Sequence, residues 1–263
     1  MDKTSIFGLI IGIIAVFVGM ILKGVNPVVL LNPAALLIIF LGTIGAVVIA
    51  FPTRDIKNVP KLFKVIFKET KVPKNEEIIP LFVELATLAR REGLLALEGK
   101  IDELEDPFLK NGLTLAVDGQ SQEFIRDVMM EEISAMEDRH QTGASIFVQA
   151  GTYAPTLGVL GAVIGLIAAL SNMGDTEALG HAISAAFVAT LFGIFSGYVL
   201  WHPFANKLKR KSRHEVNVRS MMIEGVLSIV EGQAPAIIER KLTSFLSINE
   251  RENYFAKGEK ANE

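Results

Sequence analysis

The 263-residue sequence predicts an all-α, polytopic membrane protein with four transmembrane helices and a helical cytoplasmic lobe. Three observations carry that prediction. Residues 5–22, 33–51, 154–170 and 182–200 are apolar runs without a single Asp, Glu, Lys or Arg, and each is near the ~20 residues that cross a bilayer as a helix. The chain is 50% hydrophobic with a mean hydropathy of +0.40, which fits a membrane protein carrying a polar portion better than one globular domain. Between and after the runs, the charged segments show helical spacing and no period-two alternation, so strands are not expected.

The elements follow in order. Residues 5–22 are longer than the apolar part of a secretion signal and lack a small-x-small cleavage site, so they read as a retained span. Asn32-Pro33 opens the second span, with Pro where a first helical turn tolerates it. Gly8 and Gly12 in the first run, and Gly42, Ala46 and Ala50 in the second, form small faces that serve either as contact surfaces or as lipid-compatible filler. Pro52 ends the second span. Lys57, Lys61, Lys64 and Lys68 then share one face of a short helix, with Leu62, Phe63, Ile66 and Phe67 on others. That pattern suits a helix lying on an anionic headgroup surface.

Further helices are expected from Glu76 to about Gly99, broken or bent near Pro80, then over 106–118 and from Ser121 to about Gln141. The third and fourth spans flank a polar turn. Their small residues fall four apart: Gly161, Gly165 and Ala169 in one, and Ala185, Ala189, Gly193 and Gly197 in the other. Lipid gives apolar helices no hydrophobic reason to associate, so such thin ridges mark places where backbones pack closely. Residues 206–213, NKLKRKSR, are a dense basic block. Residues 214–246 read as amphipathic helix interrupted at Gly232 to Pro235, and the last fifteen or so as a disordered tail. The domains are therefore residues 1–51 (spans one and two), 52–144 (cytoplasmic helical domain), 145–205 (spans three and four) and 206–263 (cytoplasmic C-terminal helices and tail).

Orientation follows from basic residues. Of 26 Lys and Arg, 13 lie in 52–144 and 11 in 207–263, against one, Lys23, in the first loop. The positive-inside rule puts both termini and the lobe in the cytoplasm.

Composition also excludes chemistries. A net charge of −3 argues against nucleic-acid binding, and the absence of Cys removes thiolates and disulfides. His140, His181, His202 and His214 fit no zinc spacing. Gly93 and Gly99-Lys100 do not make a phosphate loop, because the spacing is wrong and Ile101 stands where Ser or Thr is needed. No catalytic motif, metal site or cofactor is expected, and the chain reads as a non-enzyme.

Proton pumps and ion-coupled carriers generally need an ionisable group within the membrane. Apart from His181 at a lipid–water boundary these spans offer none, so if the protein conducts ions another chain must supply the carboxylate. Thr190 lies about ten residues from the outer turn and Ala162 about ten on its other side, so both sit near mid-membrane at ~1.5 Å per residue. The Thr190 hydroxyl either helps hold an ion or water, or bonds the preceding turn. Pro155 and Pro203 fall toward the cytoplasmic ends of their spans. Each either terminates its helix or bends it and frees a carbonyl.

The blocks TYAPTLGVLGAVIGL (152–166) and HAISAAFVATLFGIFSGYVLWHPFANKLKRKS (181–212) closely resemble the MotA family of flagellar stator subunits, in its Bacillus form. So do NPAALLIIFLGTIGAVVIAFP, LARREGLLALE, FLKNGLTLAVDG and MEDRH, and the likeness covers essentially the whole chain. The resemblance implies a pentameric ring around two MotB-type subunits, whose transmembrane Asp carries the ion. It implies that Arg90 and Glu98 face the rotor switch protein FliG, although by themselves they read as a solvated helical face about 12 Å and two turns apart. It implies that Pro155, Pro203 and Thr190 belong to the ion pathway. Sodium-driven relatives tend to carry Thr where this chain has Ala162, so the coupling ion is expected to be H+. Two rival functions stay open: an ExbB/TolQ-like proton-driven energiser of envelope processes, and a passive membrane scaffold.

Overall fold

The computed structural model describes residues 3–68, 73, 75–171 and 173–261. Among these residues, the regular structure is all helical. The helices are α1 (Lys3–Leu22), α2 (Pro33–Ala50), α3 (Thr53–Ile56), α4 (Val59–Phe67), α5 (Asn75–Glu92), α6 (Glu98–Glu103), α7 (Pro107–Val117), α8 (Gln122–Ser171), α9 (Thr176–Val230), α10 (Pro235–Leu242) and α11 (Ile248–Ala261). Four of them, α1, α2, α8 and α9, are long and apolar enough to span a membrane. The chain divides into two compact units. One comprises residues 1–70 and 139–211; the other comprises 71–138 and 212–263.

In the first unit, the Asn32 side chain accepts from the Ala35 amide at 3.0 Å and Pro33 takes the first position of α2. One orphan donor is thereby satisfied and the helix start is defined. α2 widens to a π turn over Leu37–Leu41, and the buried Thr43 hydroxyl donates to the Ile39 carbonyl within it. α1 buries no side chain and leaves Phe7, Ile11, Ile14 and Val18 exposed, as a lipid-facing helix requires.

α4 corrects an expectation. Its apolar face is not free to lie on lipid. Ile66 is fully buried against Ala144, Phe147, Ala205 and Leu208, and the Phe63 ring meets Phe147 edge-on at 5.2 Å. The Lys211 ammonium donates to the Val65 carbonyl at 2.7 Å and also to that of Lys68, closing the helix C-terminus with a cation.

The second unit has its own core. Ile78, Ile79, Phe82 and Leu85 of α5 pack with Leu109 and Leu113 of α7, Ile125 and Met129 of α8, and Met221 and Val226 of α9. Burying each of these large side chains is worth about 1.5–3 kcal/mol. Glu224 of α9 binds Lys241 of α10 at 2.8 Å and Arg126 of α8 at 3.3 Å. Arg219 spans Glu215 and Glu132 and lies 4.8 Å from the centre of the Phe108 ring.

Four further expectations change. α5 runs intact through Pro80 and stops at Glu92; the break is Gly93, whose φ of 88° ends the helix. Pro80 lies early enough in α5 to cost only one backbone hydrogen bond. Residues 121–141 are not a separate helix but the first part of the 50-residue α8, because nothing between Gln141 and the third span can stop it. Gly143, a weak point, is held by the Leu62 side chain, 3.0 Å from where a methyl would sit. The C-terminal segment is not a disordered tail: α11 runs to Ala261, and the Tyr254 hydroxyl donates to Glu239 at 2.7 Å. The interruption at Gly232 to Pro235 stands, with Gly232 at a φ of 68°.

Candidate functional site

The third and fourth spans meet antiparallel through their glycines. A methyl built on Gly193 would lie 2.7 Å from the Ala154 carbonyl oxygen and 2.9 Å from the Gly158 Cα. One built on Gly158 would lie 3.1 Å from the Ala189 oxygen. Gly161 faces the Ala189 methyl and Gly165 faces Ala186. At such approach only hydrogens fit between the backbones, and dispersion and Cα–H contacts to carbonyls replace side-chain packing. Ala185, placed on the same ridge by its spacing, is half-buried, whereas Ala186 is buried and makes the contact. Gly151, Gly158 and Ala186 escaped the sequence reading because it followed rows four apart; the contact mixes steps of three and four, as a straight helix must.

The prolines work on this seam. Pro155 lies inside α8 and has no amide hydrogen to give the Gly151 carbonyl. That oxygen points at Gly197, 2.9 Å from where a methyl would stand, and the Pro155 ring packs on the same glycine. The His202 ring covers Gly151 and lies 5.4 Å from the Tyr198 ring. Pro203 does not end its helix. The backbone opens into a π turn over Ser196–Trp201 and continues as helix from His202, since a wider turn accommodates a ring that would collide with the preceding carbonyl. Ser196 is fully buried there and donates to the Phe192 carbonyl at 2.7 Å.

The Thr190 hydroxyl donates to the Ala186 carbonyl at 3.3 Å, so it has a partner within its own helix. Thr190 and Ala162 are both half-buried, and the Thr190 Cα faces Gly158. Of the small faces in the first two spans, Gly12 lies against Val199 and Gly42 against Leu157, whereas Gly8 faces open space.

In the second unit, Arg90 and Glu98 do not share a helix. Gly93 separates them, followed by a tight turn over Leu94–Leu97 in which Leu97 is fully buried. The two-turn spacing drawn from a continuous helix therefore does not apply. Arg90, Arg91 and Glu98 are exposed, and among the described residues none of the three forms an ion pair. Nearby Lys100 is paired instead, with Glu84 at 3.2 Å and Glu103 at 3.3 Å. Its hydrogen bond to Glu84, then that to Glu103, push its pKa upward.

These features define a class: a polytopic α-helical membrane protein whose last two spans close backbone to backbone. Residues 100–221 match the model of the MotA/TolQ/ExbB proton channel family, and residues 6–93 match the N-terminal model of motility protein A. The chain is 68% identical to motility protein A of Bacillus subtilis, over 100% of this chain and 97% of that one. Its structure resembles a chain of the flagellar MotAB stator complex of Bacillus subtilis, with a TM-score of 0.92 over 96% of this chain and 99% of that chain, at 68% identity. It also resembles a chain of C. jejuni MotAB, with a TM-score of 0.90 over 94% and 97% of the two chains, at 35% identity. The chain belongs to the MotA/TolQ/ExbB proton channel family, on its motor-stator branch.

Proposed function

We propose that this chain is the ring-forming subunit of a flagellar stator, which with a MotB-type partner conducts protons and converts their flow into torque on the rotor. The observation that carries this reading is the α8–α9 seam: glycine-close, interrupted by Pro155 and a π turn, and without Asp, Glu, Lys or Arg in its spans. Such a seam is deformable but cannot hold a proton on a carboxylate of its own. The partner supplies that group as a transmembrane Asp.

Five copies surround two partner helices in the inner membrane of the cell, with both termini in the cytoplasm. Protonation of the partner's Asp removes a buried charge and changes how that helix packs on the ring. Repeated shifts between five-fold and two-fold packing then step the ring round. Pro155 and Pro203 give the two spans their compliance, and Thr190 helps position water or the partner's Asp. Arg90 and Glu98, which form no ion pair among the described residues, meet charges on FliG. H+ is the ion because dehydrating a metal cation needs several oxygen ligands, and Ala162 offers only a methyl group.

The test is proton uptake into vesicles holding this chain and its partner, driven by a potassium diffusion potential. Uptake that disappears when the partner's Asp is replaced by Asn is expected. Absence of uptake with both chains assembled would reduce the protein to a scaffold. Uptake without restored swimming in a strain lacking the stator would point to an envelope energiser.

A further inference from the structure

Between the first turns of α1 and the stretch of α9 around Pro203 lies a cavity of about 370 Å³ that the stator mechanism does not use. Gly8, Tyr198 and Pro203 line its apolar part, and Thr4, Ser5 and Lys207 line its polar end. The Lys207 ammonium donates to the Thr4 hydroxyl at 2.9 Å, joining the two walls. The Ser5 hydroxyl donates to the Ile66 carbonyl at 3.3 Å. The space beside Gly8 is open: a methyl there meets nothing within 4 Å. On the other wall, the π turn over Ser196–Trp201 includes Tyr198, which is 65% exposed.

We infer that this cleft binds one anionic phospholipid of the inner leaflet, its phosphate on Lys207 and the Thr4 hydroxyl and an acyl chain running past Gly8 toward Tyr198. The chemistry at each end matches that ligand. Lys207 is the first basic residue after the fourth span, at the head of a basic block, and such clusters at a membrane surface select anionic headgroups. The adjoining wall is apolar, which suits a hydrocarbon chain and gives a free phosphate ion nothing. The inference rests on the proposed orientation of the spans and is independent of the ion, the rotor and the partner's Asp.

The test uses the full-length chain, with its partner, in phosphatidylcholine vesicles containing spin-labelled phosphatidylglycerol or spin-labelled phosphatidylcholine. Electron spin resonance reads the immobilised fraction. The wild type should hold phosphatidylglycerol about fivefold more strongly, the effect of one basic residue near the surface. Lys207→Gln should erase that preference, Lys207→Arg should keep it, and Lys209→Gln, an exposed neighbour, should leave it unchanged. Gly8→Leu should fill the cleft and lower the immobilised fraction of both lipids. Equal preference in wild type and Lys207→Gln overturns the site, as does displacement of the lipid by inorganic phosphate alone. Proton uptake measured on the same vesicles reports separately on the stator reading.

Discussion

At the scale of single residues, backbone contact decides which glycines are replaceable. Gly193→Ala drives a methyl into the Ala154 carbonyl and Gly158, and overpacking of this kind costs about 1–3 kcal/mol. Gly45→Ala, in the second span, meets nothing within 4 Å and should be neutral or stabilising by up to ~1 kcal/mol. Thermal unfolding in detergent should separate the two, and only the first should reduce swimming. Equal melting temperatures would detach Gly193 from the seam.

The charges of the lobe divide differently. Arg90→Glu should lower torque in a bead assay without altering insertion, and a reciprocal reversal on the rotor should restore part of it. Exposed pairs are individually worth only ~0–1 kcal/mol, so neutral substitutions should do little. Full torque from Arg90→Glu combined with Glu98→Lys would return both to the solvated face.

Glu224 is one of the lobe's pH-sensitive groups. Burial alone would raise its pKa, but Lys241 and Arg126 together hold it below the ordinary 4.5. A depressed folded pKa contributes stability above the unfolded value and loses it as pH falls through the folded one. Glu224→Gln should therefore destabilise the lobe by about 1 kcal/mol at neutral pH, given its partly exposed partners. The gap from wild type should close as pH falls through the depressed folded value, below the ordinary 4.5. Near-ultraviolet circular dichroism against urea, at pH 7 and at successively more acid pH, checks both halves.

At the scale of elements, the decisive event in the lobe is Gly93. Its φ of 88° and ψ of 166° turn the chain between Arg90 and Glu98, a conformation essentially reserved for glycine that costs an L-residue about 1–3 kcal/mol. Gly93→Ala should destabilise by that amount and reduce torque by misplacing Glu98. Gly99→Ala, inside α6 with open space around it, should stabilise by up to ~1 kcal/mol. Identical torque and stability in the two variants would contradict this role.

Several elements were legible in sequence because their causes are local. Asn32 and Pro33 start α2 as capping chemistry requires, Asp106 caps α7 by accepting from the Phe108 and Leu109 amides, and Gly232 interrupts the C-terminal helices. Helix continuity was not legible. Pro80 and Pro203 read as breaks or bends, and whether a proline breaks a helix depends on whether the surrounding packing tolerates a lost bond or a widened turn. The apolar face of α4 read as lipid-facing because sequence cannot distinguish lipid from another helix as its apolar partner.

At the scale of the whole molecule, the prediction concerns the ion. Swimming of cells driven by this stator, at fixed proton-motive force, should be indifferent to external sodium. Speed that rises with sodium and falls with a sodium-channel inhibitor would overturn proton coupling and leave the stator function standing.

The sequence by itself determined the all-α class, the four spans and their small-residue faces, because length, hydropathy and the absence of charge act within each segment. It also carried the family, through blocks that lie along the whole chain. Only the tertiary structure decided that Ala186 and Gly158 form the seam, that the Gly151 carbonyl freed by Pro155 points at Gly197, and that Arg90 and Glu98 lie across a turn. Those facts depend on the rotation of one helix against another and on what fills the space between them. Contact at 3 Å is settled by the neighbours of a residue in space, and a linear pattern records only its neighbours in the chain.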